Sequence, residues 1–355
     1  MRNVLVVRTD SDGDVLLAGP AVRAVAAHAR VTMLVSPAGA QAARLLPGVD
    51  DVIVFTAPWS GYRPPPVDAD ATAALLDRIR GEGFDAAVVL TSWHQSPLPA
   101  ALLLRLAGVP YVAAASEDYP GSLLDLRFRA DRSAPGQVHE AEVMLALVRA
   151  AGFEPLEDGD AATRLAVRRP LPALPEEVGS DSYVVVHPGA SVPARAPRPQ
   201  DAAALVGELV RRGHRVVVTG GPSETGLTAD VTAHVPADVA VDLGGRTDLA
   251  TLAAVLEGAD AVVVGNTGPA HLAAAVGTPV VSLFAPVVPL ERWHPWGVPV
   301  RVLGEQDSPC RGTGARECPV PGHPCLATVP VQQIADAVAE LVADHHPHGR
   351  RAVSA

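Results

Sequence analysis

The chain contains no lysine; all 28 of its basic side chains are arginine. That absence excludes chemistry that needs a side-chain amine: Schiff-base catalysis, a lysine-linked pyridoxal cofactor, and the lysine of a Walker-type phosphate loop. Any fixed cationic side chain that meets a phosphate here must be a guanidinium. Aromatic residues are scarce, at 4%. Cysteine is limited to Cys310, Cys318 and Cys325, an odd number in one short region, so a disulfide-scaffolded secreted fold is not expected. His323 lies between the last two, but the wide cysteine spacing departs from the C-x2–4-C pattern of zinc sites, and no metal is expected. Basic charge is also short, 28 residues against 39 acidic, for a net charge of -11. A general nucleic-acid partner, which requires a basic face, is not expected. Long apolar runs are missing too. No run of about 18 or more apolar residues predicts a transmembrane segment, and Val4–Val7 is too short for the ~7–15-residue core of a signal peptide. The expected location is cytoplasmic, with a peripheral station at the inner face of the membrane left open.

What is present points to two folded domains. The length of 355 residues suggests two, and 48% hydrophobic content is enough for sizeable cores. Short β-branched runs alternate with Ala/Leu-rich stretches. Strands are predicted over Val4–Arg8, Val31–Ser36, Val52–Thr56, Ala86–Thr91 and Pro110–Ala114. Helices are predicted over Asp14–Ala29, Ala71–Glu82, Pro97–Ala107 and His139–Ala151. A Pro-, Arg- and Glu-rich stretch follows, and the alternation restarts. Strands are then predicted over Ser182–His187, Arg215–Thr219, Val239–Leu243, Ala261–Val264 and Val280–Phe284. The intervening helices are Asp201–Arg212, Ser223–His234, Leu249–Glu257 and Pro269–Val276. Residues 285–330 read as irregular, and Val331–Ala343 as an amphipathic helix. Such alternation predicts α/β architecture with parallel, doubly wound sheets. The predicted organisation is a Rossmann-like domain over 1–165, a linker over 166–181, and a second Rossmann-like domain over 182–330. A carboxy-terminal helix over 331–345 and a flexible tail over 346–355 follow.

Four motifs sit at predicted strand ends. The first is TDSDGD at 9–14, where Gly13 allows close backbone approach and Asp14 starts a helix. Asp14 reads either as a helix cap or as a general base for a hydroxyl. Asp10-Ser11-Asp12 also matches a DxD metal pattern, but no partner ligands are evident. The second is HPGASVPAR at 187–195, which offers Ser191 and Arg195 to a diphosphate. The third is TGGPSE at 219–224, where Gly220 and Gly221 form a strand-to-helix turn and Glu224 is placed to meet a ribose diol. The fourth is VGNTGPAHLAAA at 264–275. Pro269 suits a first helical turn, and the helix start forms an anion site with Thr267, Gly268 and His271. Trp59 and Tyr62 suggest part of an acceptor lip. No G-x-G-x-x-G follows a strand, and neither G-x-S-x-G nor HExxH is present.

In combination and order, these motifs resemble glycosyltransferase family 9, which includes the ADP-heptose:lipopolysaccharide heptosyltransferases. The stretches VLVVRTDSDGDVLLAGPAVRAVAA, VVVHPGASVPAR, VVVTGGPSE and DLGGRTDLATLAAVLEGADAVVVGNTGPAHLAAAVGTPVVSLFAP carry the resemblance, with the late CPVPGHPCL. It implies a GT-B fold, with two Rossmann-like domains facing across a cleft. It further implies an inverting, metal-independent transfer of a sugar, heptose above others, from an ADP-sugar-type donor to an acceptor hydroxyl, with no cofactor. The acceptor would be a glycan, a lipid-linked sugar or a small molecule. Asp14 falls at the catalytic aspartate, beside Gly13. Arg195 falls at the diphosphate contact, with Ser191 nearby. Gly220, Gly221 and Glu224 fall in the nucleoside segment, and Thr267, Gly268, Pro269 and His271 in the phosphate-facing helix start. Asn266 stands where the family shows Asp, as a further donor contact. A nucleotide-sugar epimerase on the same fold and a non-catalytic sugar-nucleotide-binding relative remain the alternatives.

Overall fold

The β-branched runs build twelve strands among the described residues of this computed structural model. Those residues are 2–345, apart from 62, 93, 132, 134–137 and 157. Tyr62 and the expected tail over 346–355 lie outside them. The chain divides into two compact units, Met1–Arg168 and Arg169–Ala355.

In the first unit the strands are β1 (Asn3–Arg8), β2 (Arg30–Val35), β3 (Asp51–Val54), β4 (Ala86–Val89), β5 (Val112–Ala115) and β6 (Leu126–Phe128). They form one parallel sheet in the order β3-β2-β1-β4-β5-β6. Side chains alternate across a strand, and here both faces are covered, so the strands read as continuous apolar runs. Leu5, Val7, Leu34, Ile53, Ala87 and Val89 join a core with Leu75 and Ile79 of the helix Ala69–Glu82 and Leu104 of the helix Leu98–Leu106. Elsewhere in the unit, helix Gly19–Ala26 packs against helix Glu140–Ala150. Burying each large aliphatic side chain contributes about 1.5–3 kcal/mol.

The second unit repeats the plan with β7 (Val184–His187), β8 (Val216–Gly220), β9 (Ala240–Gly244), β10 (Ala261–Gly265), β11 (Val280–Leu283) and β12 (Val300–Leu303). The order β12-β11-β10-β7-β8-β9 is again parallel throughout. Counted from its own first strand, it is the same arrangement as the first sheet. Val184, Val186, Val263 and Val281 share a core with Leu205 and Leu209 of helix Pro199–Arg211. Ile334, Val338 and Leu341 of helix Val331–His345 close that core. No helix among the described residues is long and apolar enough to cross a membrane.

The strand order reverses between β1 and β4 in one sheet and between β7 and β10 in the other. Ligands in open α/β sheets bind beyond the carboxyl ends of the strands at such a reversal.

The single helix predicted over Asp14–Ala29 is instead two, Asp12–Leu17 and Gly19–Ala26. Pro20 has no N–H for the carbonyl of Leu16, and its ring disfavours an uninterrupted helix there. Two strands were not predicted, β6 and β12. Both are outermost in their sheets and only half-buried along their length. The helix predicted from Ser223 begins as a tight 3-10 turn over Pro222–Glu224 and becomes α-helical over Thr225–Thr232.

Candidate active site

In the first unit the chemistry gathers beyond the end of β1. Arg8 is the last residue of that strand and is completely buried. Its Nη2 donates to Asp14 Oδ1 at 3.1 Å and to Ser92 Oγ at 2.9 Å. Its Nε lies 3.1 Å from Asp10 Oδ2. Burial alone would lower the pKa of Arg8, but Asp10, Asp14 and Glu140 raise it above its ordinary value. The guanidinium is therefore a permanent charge. Asp10 is nearly buried and also accepts from Gln95 Nε2. Burial raises its pKa, with a further push from Asp14 and an opposing pull from Arg8, Gln95 and His94.

Asp14 is the third residue of helix Asp12–Leu17 and does not cap it; Ser11 occupies the cap position. Ser11 Oγ donates to Asp14 Oδ2 at 2.9 Å, and the Asp14 side chain keeps 25% of its surface exposed. An oriented, partly exposed carboxylate at a strand-order reversal has the attributes of a general base. Gly13 beside it is buried. Asp12 accepts from the Ala42 N–H at 3.0 Å, and burial pushes it up to about 6 despite that bond. The DxD pattern thus divides between different protein partners. Among the described residues no group of three or more His, Cys, Asp or Glu is arranged to hold a metal ion.

An open pocket of about 300 Å³ lies at the ends of β1 and β4. Its polar lining includes Thr9, Ser60, Thr91, Gln95 and Ser96, and Trp59 also lines it. Ser60 Oγ donates to the Thr9 carbonyl at 2.8 Å, and the Trp59 ring sits 6.1 Å from that of Phe55.

The second unit gathers the remaining candidates at the ends of β7, β8 and β10. Asn266 follows β10 and is buried. Its Nδ2 donates to the Ala285 carbonyl and its Oδ1 accepts from the Ala285 N–H, both at 3.2 Å. Thr267 is the extended cap residue of helix Gly268–Val276, with Pro269 in the first turn, and its hydroxyl makes no cap bond. First-turn N–H groups lack intrahelical partners and carry the positive end of the helix dipole. His271 is buried in this turn.

Arg195 closes the 3-10 turn Pro193–Arg195 and is half-buried. A Cβ on Gly265 would overlap the Arg195 carbonyl oxygen, so the absence of a side chain there brings the turn against the end of β10. Ser191 is exposed in the loop after β7. Gly220 ends β8, and the Gly221 N–H donates to Glu224 Oε2 at 2.6 Å. The Glu224 carboxylate lies over Gly189, where a Cβ would collide with it. The buried His187 stands 3.8 Å from Glu224 Oε2, with Nδ1 3.0 Å from Thr219 Oγ1. Burial lowers the His187 pKa against the pull of Glu224. His187, Thr219 and Arg8 were not among the site residues picked from sequence, and each is a polar residue inside or ending an apolar strand.

Cys310 and Cys325 are buried and Cys318 is half-buried; none is in a disulfide. Burial, reinforced by Cys310 and Cys318, pushes the Cys325 thiol up to about 11. That holds it protonated at neutral pH, and both buried cysteines belong to the second core.

Two parallel sheets of identical strand order with flanking helices define a GT-B fold. Glycosyltransferase family 9 (heptosyltransferase) matches residues 72–321, and the chain belongs to that family. The matched range includes Arg195, Glu224 and Asn266–His271 and begins after the Asp14 loop. Lipopolysaccharide heptosyltransferase 3 of Escherichia coli K12 is 32% identical over 132 residues, 37% of this chain and 37% of that protein. The match thus spans little more than a third of that relative's length. Among solved structures, the Escherichia coli ADP-heptose lipopolysaccharide heptosyltransferase II has a TM-score of 0.74 at 20% identity, covering 98% of this chain and 100% of that one. A family 9 glycosyltransferase from Veillonella parvula has a TM-score of 0.77 at 17% identity, covering 97% and 98%.

Proposed function

We propose that the protein transfers a heptose from an ADP-heptose-type donor to an acceptor hydroxyl, with inversion and without a metal. The observation that carries this reading is Asp14, a partly exposed carboxylate oriented by Arg8 and Ser11 at the end of β1. Asp14 takes the proton of the acceptor hydroxyl. The oxygen forms a bond to the anomeric carbon on the face opposite the nucleotide. The bond from that carbon to the diphosphate oxygen breaks, and ADP leaves with the electron pair. The proton on Asp14 then passes to solvent.

In the second unit, Arg195, Ser191, Thr267 and the N–H groups opening helix Gly268–Val276 hold the departing diphosphate, with Pro269 and His271 shaping that turn. Charge stabilisation of this kind is worth on the order of 10²–10³ in rate per donor. Gly220, Gly221 and Glu224 receive the nucleoside. Asn266 shapes the adjoining loop through Ala285. The acceptor is a glycan, a lipid-linked sugar or a small hydroxylated molecule. We place the reaction in the cytoplasm, peripheral to the inner membrane face where the acceptor is lipid-linked.

The test is Asp14→Asn with ADP-heptose as donor. ADP affinity by calorimetry should stay within about twofold, while turnover falls by roughly 10²–10⁴. Turnover at the wild-type rate would overturn the role of Asp14. Product NMR reads the anomeric configuration, and an unchanged rate in a chelator supports metal independence. Thermal shifts against a panel of nucleotide sugars identify the donor, since a ligand that binds the native state raises its stability.

A further inference from the structure

Among the described residues Arg8 is the largest side chain that is completely buried, and it ends an internal strand of the first sheet. A buried arginine is costly unless it is paired. Here the planar fork meets two carboxylates and a hydroxyl in different directions: Asp10 through Nε, and Asp14 and Ser92 through Nη2. Ser92 follows the end of β4, so one guanidinium ties the start of helix Asp12–Leu17 to the β4 loop. That same loop carries Gln95, which holds Asp10 and lines the pocket with Thr9, Thr91 and Ser96.

We infer that Arg8 is a positioning residue: it aims Asp14, holds its negative charge, and links it through Asp10, Ser92 and Gln95 to the pocket at the ends of β1 and β4. The inference rests on the reading of Asp14 as the base. Its electrostatic part is a competition. Asp10 opposes the ionisation of Asp14 and Arg8 favours it, while Glu140 acts on Arg8 and His94 on Asp10. Asp12 is held separately on the Ala42 N–H. Ammonium cannot reproduce the fork, because a lysine presents one nitrogen where Arg8 uses two, Nε toward Asp10 and Nη2 toward Asp14 and Ser92.

The test needs neither acceptor nor activity. Full-length protein carrying aspartate labelled with 13C at the carboxyl is titrated by NMR, and the Asp14→Asn variant assigns the Asp14 signal. In Arg8→Met the Asp14 midpoint should rise by about one to three pH units, the size of effect an adjacent arginine exerts on an aspartate. Arg8→Lys keeps the charge and loses the fork, so Asp10 or Asp14 should titrate about one unit higher than in the wild type. Where Arg8→Met does not fold, Arg8→Lys alone decides. Midpoints of both carboxylates unchanged within about 0.3 unit in the folded variants would overturn the inference, since an arginine that merely fills space moves neither. Normal turnover by Asp14→Asn would instead remove the base and leave the titration result standing.

Discussion

Asn266 and Ala285 are bonded to each other twice. The Asn266 amide donates to the Ala285 carbonyl and accepts from its N–H, each at 3.2 Å, across the ends of β10 and β11. The pattern fixes the amide orientation, and it requires a donor and an acceptor on one side chain. A carboxylate at this position supplies only acceptors. Asn266 is therefore a structural clip between the ends of β10 and β11. Asn266→Asp should destabilise the protein by roughly 1–3 kcal/mol, because the buried Ala285 carbonyl loses its donor and a charge is buried beside it. Urea unfolding at pH 7.5 measures this, and unchanged stability would contradict the clip.

Gly265 and Gly189 make a contrasting pair. Alanine at Gly265 meets the backbone carbonyl of Arg195, which moves only with its whole turn. Alanine at Gly189 meets the end of the Glu224 side chain, which is free to swing at the expense of its bond to Gly221. Gly265→Ala should lower both melting temperature and ADP affinity. Gly189→Ala should lower the melting temperature less than Gly265→Ala and weaken ADP binding by roughly tenfold, the worth of one charge-assisted hydrogen bond. Calorimetry and thermal melts on the two variants separate these outcomes.

Arg195 carries the only fixed side-chain cation proposed for the diphosphate. Arg195→Ala should raise the Kd for ADP by about 10–100-fold, as expected for a lost charge-assisted contact. The effect should shrink at high salt. An unaltered Kd at low ionic strength would move the diphosphate elsewhere.

Asp12 gives a prediction in pH. Burial pushes its folded-state pKa up to about 6 from an ordinary 3.8. Between these values the folded state binds more protons than the unfolded state, so this group's contribution to stability falls as pH rises from about 4 to about 6. Asp12→Asn removes the ionisation and keeps an acceptor for the Ala42 N–H. The variant should exceed the wild type by roughly 1–3 kcal/mol at pH 7.5, with the difference gone near pH 4. Urea midpoints at the two pH values decide it, and a difference of the opposite sign would refute the assignment.

The central strands were legible because burial on both faces leaves runs such as VLVV and AVVV with little ambiguity. The edge strands β6 and β12 were not, because a half-buried strand such as LRF or VRVL needs no apolar run. Gly268–Val276 was legible from its glycine and proline punctuation. The break at Ala18 was legible in principle, since Pro20 stood inside the predicted helix. Arg8 carried a signal that went unread: it ends a buried strand on the same face as Val4 and Val6, just before three alternating aspartates, Asp10, Asp12 and Asp14. The partner of Asn266 was beyond reach, because its bond to Ala285 spans 19 residues and depends on the register of β10 against β11.

The strand order of the first sheet bears on how the chain is divided. β1, the first strand of this sheet in chain order, is internal, and β6, its last, joins an edge. Every pairing in that sheet is made within residues 3–128, and the unit is complete at Arg168. The carboxylate at Asp14 and the arginine that aims it thus both belong to the first unit. Completion of that sheet requires no strand of the second unit.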